Sequence, residues 1–463
     1  MRFFKIIISI IISTLFSTIC FAYNPLVDLQ FPSSPNPVGS GSNALGMGGA
    51  FIAIADDATA ASWNPAGLDQ LGVPEFSFVY SNFYRRTENN WENNPEAIGT
   101  DCVNNYNFNY ISYVYPFPKE ILGKKMVVSI NYQHLYDFKW SWNFMYNHPD
   151  PIFTEPVTYN FDQEGALYAL GLAYSIKLLP HLSAGFTINY WGDFLYENKW
   201  EKKYYQKSKY KIPPTDIGIL RDSTRYKTEE FTPDTAWNFN FGFRYKIIPS
   251  GGKHLFKIAG VLKTSFKTDI DHIISTKTSQ IFPEGGGIDT YQEHTDPFKE
   301  KLHMPASFGL GLAYSYNQTN SKSISLSCDI YRTNWNHFEF EDSAGLRKSP
   351  INGKSSSESN IKAATWIRFG VEYLNRDFII AGKMTTLSIR GGLFYDPAPA
   401  ENSPDDYYGL SFGTGMSYKF FVFDIAYQYR FANNVGSSII PDIGYSQDID
   451  EHTVYSSFVL HFN

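Results

Sequence analysis

Past its first twenty-odd residues the chain has no apolar run of the roughly 18 residues that a membrane-crossing helix needs. Cysteine is nearly absent. Of three, one falls in the first 22 residues, which leaves Cys102 and Cys328 far apart and without metal-type spacing. A disulfide scaffold and a cysteine-held zinc site are both excluded. Charged residues are sparse at 18%, and 39 Lys+Arg stand against 46 Asp+Glu. That is the wrong balance for a nucleic-acid binder. Catalytic signatures are missing as well: there is no His-Glu-x-x-His, no Gly-x-Ser-x-Gly and no phosphate loop, and the ten histidines are scattered. The sequence is instead rich in aromatics, at 17% with 33 Tyr and 38 Phe. Disordered chains are poor in such residues. Aromatic, moderately polar and without long apolar runs is the bulk composition of a membrane β-barrel.

The first residues read as an address. Arg2 and Lys5 precede an apolar stretch, Ile6 to Ile19, and Cys20-Phe21-Ala22 places small residues at −3 and −1. This predicts a secretory signal peptide, residues 1–22, cleaved after Ala22. The stretch is short for an anchor helix and Pro25 follows it; Ile19 fits poorly before a lipid-modified Cys20.

From about residue 75 the chain alternates with period two. Tyr408, Leu410, Phe412, Thr414, Met416, Tyr418 and Phe420 oppose Gly409, Ser411, Gly413, Gly415, Ser417 and Lys419. Successive strand side chains point to opposite faces, so one face is greasy and the other small or polar. Trp237 to Lys246, Ser307 to Tyr314 and Phe421 to Arg430 repeat the pattern. A soluble sandwich would also alternate. Two further features favour a transmembrane barrel. Fourteen candidate strands lie near 75–86, 104–117, 125–138, 165–177, 182–195, 236–248, 254–266, 306–317, 323–335, 363–375, 384–396, 408–419, 421–431 and 453–463. The count is even, each strand covers the roughly 9–11 residues needed to cross, and the connections alternate long and short. Trp140, Trp142, Trp191, Trp237, Trp335 and Trp366 lie toward the long-connection ends, where an interfacial aromatic girdle is expected. The long connections are polar and read as solvated loops. In the second strand the apolar phase slips between Phe108/Tyr110 and Ile111/Tyr113, which suggests a β-bulge or a register change.

Residues 23–74 do not alternate. A proline-rich leader precedes the small-residue run GSNALGMGGAFIAIADDATAASWNPAGL. Asp56 or Asp57 can cap a short Ala-rich helix that Pro65 ends. A fourteen-stranded barrel is wide enough to need filling, and this segment is small enough to fill it.

That run, with Asn64-Pro65-Ala66, resembles the N-terminal hatch of the FadL/TodX family of outer-membrane hydrocarbon transporters. WNFNFGFRYKI followed by IAGVLKTSFKTDI, MPASFGLGLAYS, and the Arg390-x-Gly392…Tyr395-Asp396…Pro399 stretch are similar to further parts of that family. The resemblance implies an all-β protein: a fourteen-stranded antiparallel transmembrane β-barrel, residues 75–463, with a hatch, residues 23–74, inside its lumen. It implies a Gram-negative-type outer membrane, no cofactor, a hydrophobic small molecule such as a long-chain fatty acid or hydrocarbon as ligand, and contact with outer-membrane lipid. It also implies a gate role for Asn64, Pro65 and Ala66, to which the small residues Gly46, Gly48 and Gly49 are added.

By parity the lumen face carries Arg244, Lys257, Lys263, Arg368, Arg390 and Arg430, with Asp329, Glu372 and Asp424 among them. These are either solvated, mutually paired charge or a seat for a ligand carboxylate. The ligand-binding candidates are Arg390, Arg244, Arg368 and Lys263, with Phe394 and Tyr331 as apolar lining. Arg390 leads because it lies in the family-like stretch. Related barrels with similar hatches serve protein secretion or surface attachment, so a scaffold for a protein partner is the alternative expectation.

Overall fold

The greasy-and-small alternation is carried by fourteen long strands. The computed structural model describes residues 36–92, 99–147, 151–212, 219–247, 252–282, 288–437 and 444–462; the expected signal peptide lies outside them. In chain order the strands are β1 Glu75–Trp91, β2 Gly99–Pro116, β3 Met126–Asp137, β4 Val157–Leu179, β5 Leu182–Trp191, β6 Ala236–Lys246 and β7 His254–Lys263. They continue as β8 Ser307–Asn317, β9 Lys322–Thr333, β10 Ala364–Ile380, β11 Lys383–Tyr395, β12 Tyr408–Tyr418, β13 Phe421–Val435 and β14 Tyr445–His461. Each pairs antiparallel with the next, and β1 pairs with β14 from Glu75↔His461 to Trp91↔Tyr445, closing the sheet. Closure leaves no sheet edge for lipid to meet. On β6, Trp237, Phe239, Phe241, Phe243 and Tyr245 face outward and exposed, while Asn238, Asn240 and Arg244 are buried inward. An even-stranded, single-chain barrel with such an apolar outer face belongs to an outer membrane of Gram-negative type.

The slip in the second strand is a bulge. Val79 pairs with Tyr110 and Tyr80 with Phe108, so Asn109 has no partner residue on β1. Its side chain turns inward instead, accepting from Gly41 N at 3.3 Å and donating to Gly39 O at 2.8 Å.

Two expectations need correction. Several of the long connections are not solvated loops, although Lys354 to Asn360 is a largely exposed turn as expected. β4 runs up past the barrel rim, and beyond it strands at Lys199–Ile212, Ile219–Pro233, Phe266–Ile281 and Thr290–Met304 pair in sequence into a collar, extended by Glu339–Glu341. The transition occurs at Gly165. Its φ of 129° and the approach of Lys199 O and Trp200 Cα to where a Cβ would stand both require glycine. The tryptophans follow from the same fact. Trp237 is outward and 57% exposed, but Trp142, Trp191 and Trp335 are buried, because a folded collar needs an aromatic core of its own. Dense charge hid the alternation there: on Lys199–Ile212 the buried residues Trp200, Tyr204, Ser208 and Tyr210 sit between lysines and a glutamate.

Inside the collar an ion network ties the hairpins together. His272 Nδ1 lies 3.0 Å from Glu300 and its Nε2 3.8 Å from Glu229; Lys227 reaches Glu229 at 2.5 Å and Lys348 reaches Glu300 at 3.6 Å. Burial alone would lower the imidazole pKa, but the two carboxylates outweigh it and hold the group above its ordinary 6.5. Burial would raise both carboxylates, but His272 and the lysines outweigh it and hold them below 4.5. The histidine's contribution is therefore complete below pH 6.5 and lost as pH rises through its raised pKa. The carboxylates' contribution is complete above pH 4.5 and lost as pH falls through theirs. The collar's urea midpoint, followed by tryptophan emission, is expected to peak between these values. His272→Gln should flatten the alkaline limb; an unchanged limb would refute the assignment.

Candidate functional site: the filled lumen

Small residues let residues 36–74 lie directly on the barrel's inner wall. Two short helices, α1 Ser42–Gly46 and α2 Ala60–Trp63, and a 3-10 turn Pro65–Gln70 are joined by tight turns. Ala44, Met47, Phe51, Ala53, Ala58, Ala60, Ala61 and Leu68 are wholly buried. The wall answers with glycine. A Cβ on Gly392 would stand 2.2 Å from Gly48 N, one on Gly370 2.7 Å from Met47 O, and one on Gly185 2.5 Å from the Pro65 carbonyl carbon. Backbone thus meets backbone, and wall side chains complete the seat. Asp329 Oδ2 accepts from Phe51 N at 2.6 Å and Ile52 N at 2.8 Å. Ser327 Oγ donates to Ala50 O, Ser411 Oγ to Gly46 O, Thr187 Oγ1 to Ala61 O and Tyr110 OH to Ala58 O.

The residues named from sequence fall into separate places. Gly46, Gly48 and Gly49 form the turn laid over β10, β11 and β12, the last two with positive φ and Gly49 against the Arg368 guanidinium. Asn64, Pro65 and Ala66 sit over β5 and β6, with Asn64 Nδ2 donating to Ile52 O at 2.9 Å and Phe243 O at 3.1 Å. Arg390 is held under α1 by Glu372 at 2.8 Å and Asp424 at 2.5 Å. Arg244 is held by Asp69, and by Gln70 at 2.9 Å. Phe394 lies flat over Gly409 in the wall. These three line neither lumen cavity described below. Arg368, Lys263 and Tyr331 do come together.

Above residues 36–74, on the long-connection side, are two cavities with a shared partition. The first has about 1040 Å³ free of protein atoms, its open mouth included. Small-molecule sites usually use about 300–1,000 Å³. Trp63, Trp191, Trp335, Trp366, Tyr136 and Tyr331 wall it, with Lys263 and Arg368 among them. Arg368 lies over the Trp366 ring at 4.8 Å and reaches Asp396 at 3.5 Å. Lys263 lies over Tyr331 at 6.0 Å and makes no ion pair among the described residues. The second cavity, about 1190 Å³, sets Arg85, Arg430, Glu451, Asp396, His134 and Asp137 among apolar lining that includes Phe83, Trp335, Trp366 and Tyr455. Pro37 to Gly39 and Trp63, whose indole N–H donates to Ser40 O at 2.7 Å, stand between the two.

The second cavity backs onto a seam. β2 pairs with β3 only from Pro116↔Val127 to Tyr110↔Gln133. Above that level Asn36–Pro37 pairs with β3 at Asp137 and Tyr136, and Val38 N donates to Leu135 O. β4 occupies the other edge of β3, so residues 36–38 take the edge that β2 leaves. Asn105 and Asn107 of β2 bridge the gap to Asp137 at 2.5 and 3.2 Å. Sequence reasoning named neither Trp63, the seam asparagines nor the anchor role of Asp329. The bulge at Asn109 was the available signal for the seam.

No protein-family model matches the sequence, and no curated protein matches it significantly. Solved structures do. The chain is similar to a FadL homologue of Pseudomonas aeruginosa at 12% identity, with 94% of this chain and 100% of that one covered and a TM-score of 0.53. It is similar to the toluene transporter TodX of P. putida at 13% identity, with 92% and 100% covered and a TM-score of 0.53. The fold of this chain is the fold of those barrels.

Proposed function

We propose that this barrel carries hydrophobic small molecules, long-chain fatty acids or hydrocarbons, passively across the outer membrane. One observation supports the reading above others: an aromatic cavity bordered by a lysine that makes no ion pair among the described residues, enclosed between a folded collar and a filled lumen. A water-filled pore would serve polar solutes, whereas tryptophan walls favour apolar ones. The ligand enters the aromatic cavity from the collar, and Lys263 takes the head group when one is present. Movement of residues 36–41 and Trp63 admits it to the second cavity, and loosening of the Asn105/Asn107–Asp137 bridge opens the β2–β3 seam sideways. The gate role expected for Asn64-Pro65-Ala66 and the Gly46–Gly49 turn is assigned instead to residues 36–41 and Trp63, with the glycine-seated residues as the part against which they move. No energy source or cofactor enters this scheme.

Lys263→Met tests the head-group assignment. Liposomes holding the wild-type protein should take up both labelled oleate and a neutral alkane faster than empty ones. The variant should lose about tenfold for oleate, the worth of one charge-assisted bond, and nothing for the alkane. Equal uptake by empty and protein-bearing liposomes would end the transport reading. A stoichiometric protein partner recovered in place of lipid would favour the scaffold alternative, which has the folded collar on its side.

A further inference from the structure

At the short-turn end the lumen wall carries a group of basic side chains, three of which make no ion pair among the described residues. Lys125 precedes β3, Lys177 is near the end of β4, Arg244 and Lys246 end β6, and Lys257 begins β7. By strand parity all five face inward. Lys125 Nζ is committed to the carbonyls of Asp69 and Leu71, at 2.7 Å each, and Arg244 to Asp69. Lys177, Lys246 and Lys257 make no ion pair among the described residues. Lys257 is only 6% exposed. The carboxylates acting on it include Asp56, which is exposed and accepts from Asn43 at 3.4 Å, and Asp69, which already serves Arg244 and the Ser183 hydroxyl; Arg244 and Lys246 oppose them. Lys246 and Lys257 are direct cross-strand partners. Like charges placed opposite each other destabilise a sheet, and a buried ammonium without a partner is costlier still. A wall that keeps one buried and two half-buried lysines beneath residues 54–71, none with an ion-pair partner among the described residues, suits an anion that arrives from outside the chain.

We infer that Lys177, Lys246 and Lys257 form an oxyanion site at the short-turn mouth, taking the carboxylate or phosphate head of an amphiphile, or the free anion. The inference rests on the transport reading only for its purpose, which is to hold an anionic ligand on the far side of the hatch from Lys263. Binding itself is independent of transport.

Equilibrium dialysis of the full chain in neutral detergent tests it. A Lys263→Gln background removes the upper head-group position. In that background labelled laurate and dodecyl phosphate should bind and dodecanol should not. Adding Lys246→Gln and Lys257→Gln should weaken both by at least about tenfold. These changes also remove repulsion, so the barrel should keep its heat-modifiable migration. Inorganic phosphate that displaces laurate would identify the free anion as a sufficient ligand; laurate that resists it would identify the amphiphile; either outcome supports the site. Dodecanol binding as tightly as laurate, or laurate affinity unchanged by the two glutamines, would overturn it. A failure of oleate uptake in liposomes sinks the transport reading and leaves this result standing.

Discussion

Planar bilayers holding Gly392→Val should conduct ions in steady steps, by on the order of tenfold or more over the wild-type barrel, which stays closed. Valine suits a strand, so β11 itself should fold. The new side chain, however, begins 2.2 Å from Gly48 N and 2.4 Å from the Met47 carbonyl carbon. Both obstacles are backbone, so no rotamer relieves the clash. The segment laid over β10 to β12 must lift, and a fourteen-stranded lumen without its filling is an aqueous passage. The neighbouring position supplies the control. Gly391 faces outward, with nothing nearer than 3.7 Å, and Gly391→Val should leave the barrel closed. A silent Gly392→Val barrel would mean that the small-residue contact is incidental.

Arg390→Ala should cost about 3–5 kcal/mol of stability and should not act first through ligand affinity. Glu372 and Asp424 both depend on this guanidinium, and all three side chains are at most 12% exposed. Truncation leaves two buried carboxylates facing each other. Replacing the set by Arg390→Met, Glu372→Gln and Asp424→Asn removes the charges together and should recover most of the loss, since a buried ion set often breaks roughly even against neutral groups. Urea-unfolding midpoints in detergent decide it. An Arg390→Ala protein as stable as wild type but unable to bind laurate would restore Arg390 as a ligand residue.

Strand parity is a local property of the chain, so every charge assigned to the lumen from sequence does face inward. Whether an inward arginine is free depends on which strand becomes its neighbour. Glu372, Asp424 and Arg390 are scattered along the chain and meet only through the registers of β10 to β13. Lys263 and Arg390 look alike in sequence, yet one borders an aromatic cavity and the other is neutralised under α1. The barrel strands were legible because their outer face must be continuously apolar. The collar strands were not, because water bathes their outer side and lysine and glutamate are as good there as threonine. The tryptophans misled for the same reason: a large aromatic near a strand end marks either a lipid interface or the start of a second core. Asn109 is the instructive intermediate. Its phase slip was visible, but that the bulge points an amide at Gly39 and Gly41 was not.

The ladder that closes the barrel joins the first strand to the last, Glu75 to His461. Those two strands are the most distant in the chain, so their meeting is the slowest contact to form. The segment that fills the lumen precedes both. Ser42 is bound to Ser457 of β14 through its backbone N–H at 2.9 Å and its hydroxyl at 2.8 Å, so α1 touches the very strand that seals the ring. The contacts between α1 and β14 can form only once the last strand is laid, so the filling of the lumen and the closing ladder are completed together.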